Sequence, residues 1–181
     1  MRIIFYLVFS LLIVGCQSTG NRTATSPVSQ EKVDAFLTEN IRIAKALIPD
    51  NVGTVQRKGD QVIITLKGDR SFTHDSADIR YEAQDVLKQL STLINRLPES
   101  RIFIAGHTDS IGSEEYNRLL STKRAQSVSN LLADNGVDEA RLGIFGFGEN
   151  SPIADNKLNS GRQANRRIEV RVTPKFDMFT E

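Results

Sequence analysis

The sequence predicts an α/β fold: a two-layer sandwich with a mixed β-sheet and two long helices, preceded by an N-terminal helix. Three observations carry this expectation. Ile79, Ala83, Val86, Leu87, Leu90, Leu93, Ile94 and Leu97 recur at the helical period. Arg101-Ile102-Phe103-Ile104-Ala105-Gly106 is a nearly continuous apolar run of strand length, as expected of a strand covered on both faces. Ile168-Glu169-Val170-Arg171-Val172 alternates strictly, the pattern of a strand with one wet face. Strands and helices that alternate through a short domain pack as helices on a sheet.

Composition narrows the function classes. The 181 residues include 23 Lys and Arg against 22 Asp and Glu. Arg2 is the one charge in residues 1–15, so the rest is balanced at 22 of each sign. A neutral chain lacks the electrostatic footprint of a nucleic-acid binder. The single cysteine excludes an intramolecular disulfide, and two histidines, His74 and His107, argue against a metal centre.

Taken in chain order, Arg2 precedes an apolar run, Ile3 to Val14, broken only by Ser10. The run is shorter than the roughly 20 residues of a spanning helix, so residues 1–15 are expected to be a signal peptide. Gln17 to Ser29 is rich in Ser and Thr and reads, with Cys16, as a flexible tether over 16–29. Residues 30–59 hold an amphipathic helix to about residue 48, stopped near Pro49, and the start of a hairpin. That hairpin pairs Thr54–Arg57 with Val62–Leu66 around Lys58-Gly59-Asp60. The main domain is expected over 60–175, followed by a tail, 176–181. Its first helix spans about 77–96, with Asp75 and Ser76 as caps and Pro98 beyond its end. Its second is capped by Ser113, carries Glu114 and Glu115 in its first turn, and closes at Asn135-Gly136. A strand at about 142–148 completes the set.

The second long helix holds the informative residue. Tyr116, Leu119, Leu120, Val128, Leu131 and Leu132 form its apolar stripe, Arg124 falls four residues from both Leu120 and Val128, and Ser121 and Asn117 share that face. A buried arginine needs an acidic partner or an opening onto a pocket. Asp109 follows the apolar strand, at the strand end where ligand groups collect in α/β folds. Asp109 and Arg124 therefore either neutralise each other or form the two poles of a zwitterion site. His107, Asp109 and Ser110 are too crowded on one turn for a hydrolytic triad, so no catalytic residue is expected. Gly146-Phe147-Gly148 reads as tight backbone at a strand end, not a dinucleotide loop. Arg162, Arg166, Arg167 and Arg171 are expected to pair with carboxylates and solvate the outer face of the last strand.

Two resemblances sharpen these expectations. Ile13-Val14-Gly15-Cys16 resembles the lipobox of bacterial lipoproteins. It implies that Cys16 becomes the first mature residue and carries a covalent N-acyl and S-diacylglycerol lipid. Each buried methylene contributes about 0.8 kcal/mol, so several acyl chains anchor firmly. Gln17 stands where lipoproteins of the inner membrane carry Asp. The resemblance thus implies the outer membrane, with the domain facing the periplasm; surface exposure is the alternative. Gly106-His107-Thr108-Asp109-Ser110-Ile111-Gly112-Ser113, with Tyr116-Asn117, Leu120-Ser121 and Arg124-Ala125, resembles the signature of OmpA-like peptidoglycan-binding domains. Gly146-Phe147-Gly148-Glu149, Pro152, Asn156, Gly161-Arg162 and Asn165-Arg166-Arg167-Ile168-Glu169 resemble that family's closing motifs, over about 60–172 in all.

This resemblance implies a non-catalytic, Pal-like lipoprotein that binds the diaminopimelate of peptidoglycan stem peptides, with no nucleic acid, metal or diffusible cofactor. Carried over by motif position, Asp109 takes the ligand's ammonium and Arg124 its carboxylate. Asn117 and Thr108 supply hydrogen bonds, and Asp75 stands near the same pocket. The family often has an aromatic just before that acid; here it is His74. The alternative is a periplasmic scaffold of an envelope complex, with other envelope proteins as partners and wall contact secondary.

Overall fold

The hairpin forms where its turn chemistry places it. In the computed structural model, which describes residues 30–175, β1 (Gly53–Lys58) and β2 (Gln61–Lys67) pair antiparallel. Gly59, at φ +60°, makes their turn. The expected signal peptide, the lipidated Cys16 with its tether, and the 176–181 tail lie outside the described residues. Before the hairpin, α1 (Gln30–Leu47) ends ahead of Pro49 and buries Val33, Leu37, Ala44 and, just beyond it, Ile48. These residues join the same core as the rest of the chain.

After β2 come a short turn of helix, α2 (Gly68–Ser71), and the long α3 (Tyr81–Asn95). The helix expected from 77 starts four residues later. Phe72 and Ile79 pair as an isolated antiparallel bridge, Asp75 sits at φ +53°, and the Arg80 amide donates to the Ser71 carbonyl. Residues 73–80 are thus a loop, and Asp75 and Ser76 cap nothing. Ile79 matched the helical period because it packs on the core from that loop.

The apolar run forms β3 (Arg101–His107), then α4 (Glu114–Asp134), β4 (Leu142–Gly148), a short α5 (Asn159–Asn165) and β5 (Arg167–Thr173). The sheet order is β1-β2-β5-β3-β4, antiparallel except for the parallel β3–β4 pair. Val62, Ile64, Leu66, Ile102, Ile104, Ile168, Val170 and Val172 point to the helices and form the core with α1, α3 and α4. Coverage of β3 on both faces holds only in part: Ala105 and His107 are buried, but Arg101 and Phe103 on the reverse face are exposed. That face carries a charged ladder instead of a second helical layer. Glu169 accepts from Arg167 at 2.8 Å and from Arg171 at 2.6 Å, and Arg171 lies over the Phe103 ring. Arg167 is buried in this ladder, where the sequence suggested a solvated face.

The stripe expected on α4 is also turned. Tyr116 and Leu119 are 41% and 52% exposed, and the buried face is Asn117, Ser121, Arg124, Ala125, Val128, Ser129 and Leu132. Glycines on the neighbouring strands explain the rotation. A Cβ on Gly106 would lie 2.1 Å from the Ser121 carbonyl oxygen, and one on Gly146 would lie 2.1 Å from Thr122 Oγ1. The first turns of α4 therefore press a small, polar face against bare backbone. Ser121 Oγ accepts from the Gly148 amide at 2.9 Å, which locks that contact. Ser113 caps the helix as expected, accepting from the Tyr116 amide at 3.2 Å.

Candidate functional site

Strand register gathers the site. Arg167 pairs with Lys67 on one side and His107 on the other, so the ends of β2 and β3 and the start of β5 meet at one edge of the sheet. The residues just beyond those ends, Gly68-Asp69, Thr108-Asp109 and Arg166, become neighbours. With Thr73, His74 and Asp75 from the loop, and Ile111, Tyr116, Asn117, Leu120 and Arg124 from the start of α4, they line a cavity of about 420 Å³.

Arg124 and Asp109 both face this cavity and do not pair with each other. Arg124, 7% exposed, donates from Nε to the Ser76 carbonyl at 2.8 Å and lies 5.1 Å from the Phe72 ring centroid. Among the described residues it forms no ion pair. Burial lowers its pKa, opposed by the carboxylates of Asp75 and Asp69, and its guanidinium remains charged. Asp109 is held by others. Its Oδ1 accepts from the Ile111 amide at 3.0 Å, and its Oδ2 from Arg166 Nη1 at 2.6 Å.

Arg166 also grips Asp69, through Nε at 2.9 Å and Nη2 at 3.0 Å. The Arg166 hydrogen bonds lower the Asp69 pKa, and the Asp69 contact raises that of Arg166. The α5 segment sets Arg166 in place. Asn165, fully buried, accepts from the Ile153 and Ala154 amides and donates to the Ala154 carbonyl and Asn156 Oδ1. Those four bonds explain the physical work of the Asn165 and Asn156 positions.

The other expected residues fall at the same cavity with varied roles. Asn117 is buried and spends both amide hydrogens internally, on the Asp109 carbonyl at 3.2 Å and Glu149 Oε2 at 2.6 Å. Thr108 is 4% exposed and its Oγ1 has no hydrogen-bond partner. A buried hydroxyl left unsatisfied is uncommon and costs stability. Asp75 is exposed on the rim, where its Oδ1 accepts from the Tyr116 hydroxyl; that bond raises the Tyr116 pKa. His74 stands beside it, exposed on the cavity wall.

Sequence reasoning missed Asp69, and it placed Arg166 in a basic stretch and in the closing motif without assigning it to the site. No local pattern marks Asp69; the β2–β5 register was the missing signal.

Among known proteins, the probable lipoprotein YiaD of Escherichia coli is 32% identical over 121 residues, 67% of this chain and 55% of that protein. The chain spans about a third to just over half the length of the curated relatives it matches. The cell wall anchor of the T6SS from Pseudomonas aeruginosa superposes with a TM-score of 0.63 at 28% identity, covering 79% of this chain and 97% of that one. The peptidoglycan-associated lipoprotein from Burkholderia pseudomallei gives 0.54 at 28% identity, covering 60% and 89%. The OmpA family model matches residues 71–166, more than half of the sequence, and the chain belongs to the OmpA family.

Proposed function

We propose that this chain is a non-catalytic, lipid-anchored protein that ties the outer membrane to the cell wall by binding the diaminopimelate of peptidoglycan stem peptides. The observation that carries this reading is an arginine buried at a cavity without a carboxylate partner, opposite an acid held in a fixed orientation. Diaminopimelate offers an ammonium and a carboxylate on one carbon, so each pole of the cavity has a counter-ion. Arg124 takes the carboxylate with its free guanidinium edge, and Asp109 takes the ammonium on lone pairs that Ile111 and Arg166 leave open. Thr108 Oγ1 and Asn117 Oδ1 supply the remaining hydrogen bonds, and Asp75 with Tyr116 closes the rim.

The proposal extends to location: Cys16 carries the lipid, and the domain faces the periplasm. The names of two relatives support it, one called a lipoprotein and one a peptidoglycan-associated lipoprotein. Each charged contact contributes about 1.5–3 kcal/mol, so binding is reversible and many anchored copies strengthen it. Co-sedimentation with purified sacculi tests the reading. Wild type pellets with the wall, while Asp109→Asn and Arg124→Ala stay folded and remain in the supernatant. Pelleting of both variants at the wild-type level would refute it.

A second reading, a scaffold that docks an envelope partner, draws on exposed Ile111, Tyr116 and Leu119 beside the cavity mouth. A complex that survives digestion of the wall would support it.

A further inference from the structure

We propose that Arg166 and Asp69 are the positioning residues of the ammonium half of the site: Asp69 anchors Arg166, and Arg166 aims the Asp109 carboxylate. The inference rests on the diaminopimelate reading above and goes beyond it, because neither residue touches the ligand in that reading.

Three nitrogens of one guanidinium contact three oxygens here, at 2.6, 2.9 and 3.0 Å. The bridge joins two segments far apart in the chain, α2 after β2 and the loop after β3. Its backbone is pinned as well. The Arg166 carbonyl accepts from the Gly68 amide at 2.8 Å, and the Arg166 amide donates to the Arg162 carbonyl at 3.0 Å. Arg166 thus cannot follow Asp109 as a mobile counter-ion; Asp109 is oriented against a fixed fork. The Ile111 amide fixes its other oxygen. With both oxygens held, the carboxylate presents its unused lone pairs in one direction.

Asp69, at the cavity wall, acts through the fork: its carboxylate holds Nε and Nη2 of Arg166 and leaves Nη1 directed at Asp109. Lysine cannot substitute for this fork, since a single ammonium does not span two carboxylates in fixed planes.

The test is a double-mutant cycle read by calorimetric titration of the full chain with two stem peptides. One ends its third residue in diaminopimelate and the other in lysine, which keeps the ammonium and lacks the carboxylate. Arg166→Lys preserves charge and removes the fork. We expect Arg166→Lys and Asp69→Asn each to weaken diaminopimelate binding about tenfold, with the double variant no weaker than either single one. Both substitutions weaken lysine-stem binding by the same factor, whereas Arg124→Ala leaves the lysine stem unaffected. Unchanged thermal unfolding of Asp69→Asn separates positioning from simple loss of structure.

Wild-type affinity in Arg166→Lys would overturn the proposal, as would additive effects in the double variant, or losses that vanish with the lysine stem. A wild-type chain that binds neither peptide would overturn the underlying reading itself.

Discussion

Arg124 shows at the scale of one residue how function sets against stability. Its guanidinium is removed from water, and a carbonyl and a ring face replace the carboxylate that usually accompanies such burial. Replacing it with an apolar residue of similar length should therefore not destabilise the domain. Arg124→Met is expected to hold or raise the thermal midpoint while abolishing wall binding, measured by calorimetric unfolding beside sacculus pelleting. His107 makes a different prediction. Both ring nitrogens are buried without hydrogen-bond partners, Nε2 lies 3.8 Å from Glu169 Oε1, and the ring stacks on Phe147 at 5.0 Å. Burial, together with the charges of Arg167 and Arg171 and against that of Glu169, lowers its pKa to about 4. The unfolded chain takes up this proton near pH 6.5, so the folded state is favoured above that pH. Stability is lost as pH falls from about 6.5 to 4, by roughly 3 kcal/mol at full effect. His107→Phe should flatten denaturant midpoints across that window; an unchanged slope would mean that His107 is not neutral in the fold.

At the scale of elements, the close contact between α4 and the β3–β4 pair organises the site. Gly106→Ala would drive a methyl group into the Ser121 carbonyl, and no side-chain rotation relieves a clash with backbone. We expect a loss of about 3 kcal/mol or more and a thermal midpoint lower by roughly 6–12 °C. The same contact marks the limit of pattern reading. Periodicity placed α4 and its cap correctly and picked out Arg124, but it assigned Tyr116 and Leu119 to the core. It also set Asn117 and Ser121 on the Arg124 face, where they are buried; hydrophobicity alone does not reveal that glycine strands press against that face. Residues 77–80 were expected in the helix and lie in the loop, because Ile79 fits both a helical stripe and a loop that plugs the core. The short α5 carries no apolar stripe at all; its order comes from the hydrogen bonds of Asn165.

At the scale of the whole molecule, five strands and three long helices among the described residues bring distant segments to one cavity. Asp109 and Arg124 were legible because each breaks a local rule, an acid at a strand end and a charge within an apolar stripe. Asp69 and Arg166 break none, and only the order β2-β5-β3 makes them neighbours. The proposed function makes this cavity a receptor for one zwitterionic head group, with Asp109 held at the sheet end and Arg124 on the helix layer. Titration of the full chain with a diaminopimelate stem peptide and its lysine counterpart tests this claim most directly. The account predicts that loss of the carboxylate weakens binding at least about tenfold, and that Arg124→Ala erases the difference between the two peptides. Equal affinity of the wild-type chain for both peptides would contradict it.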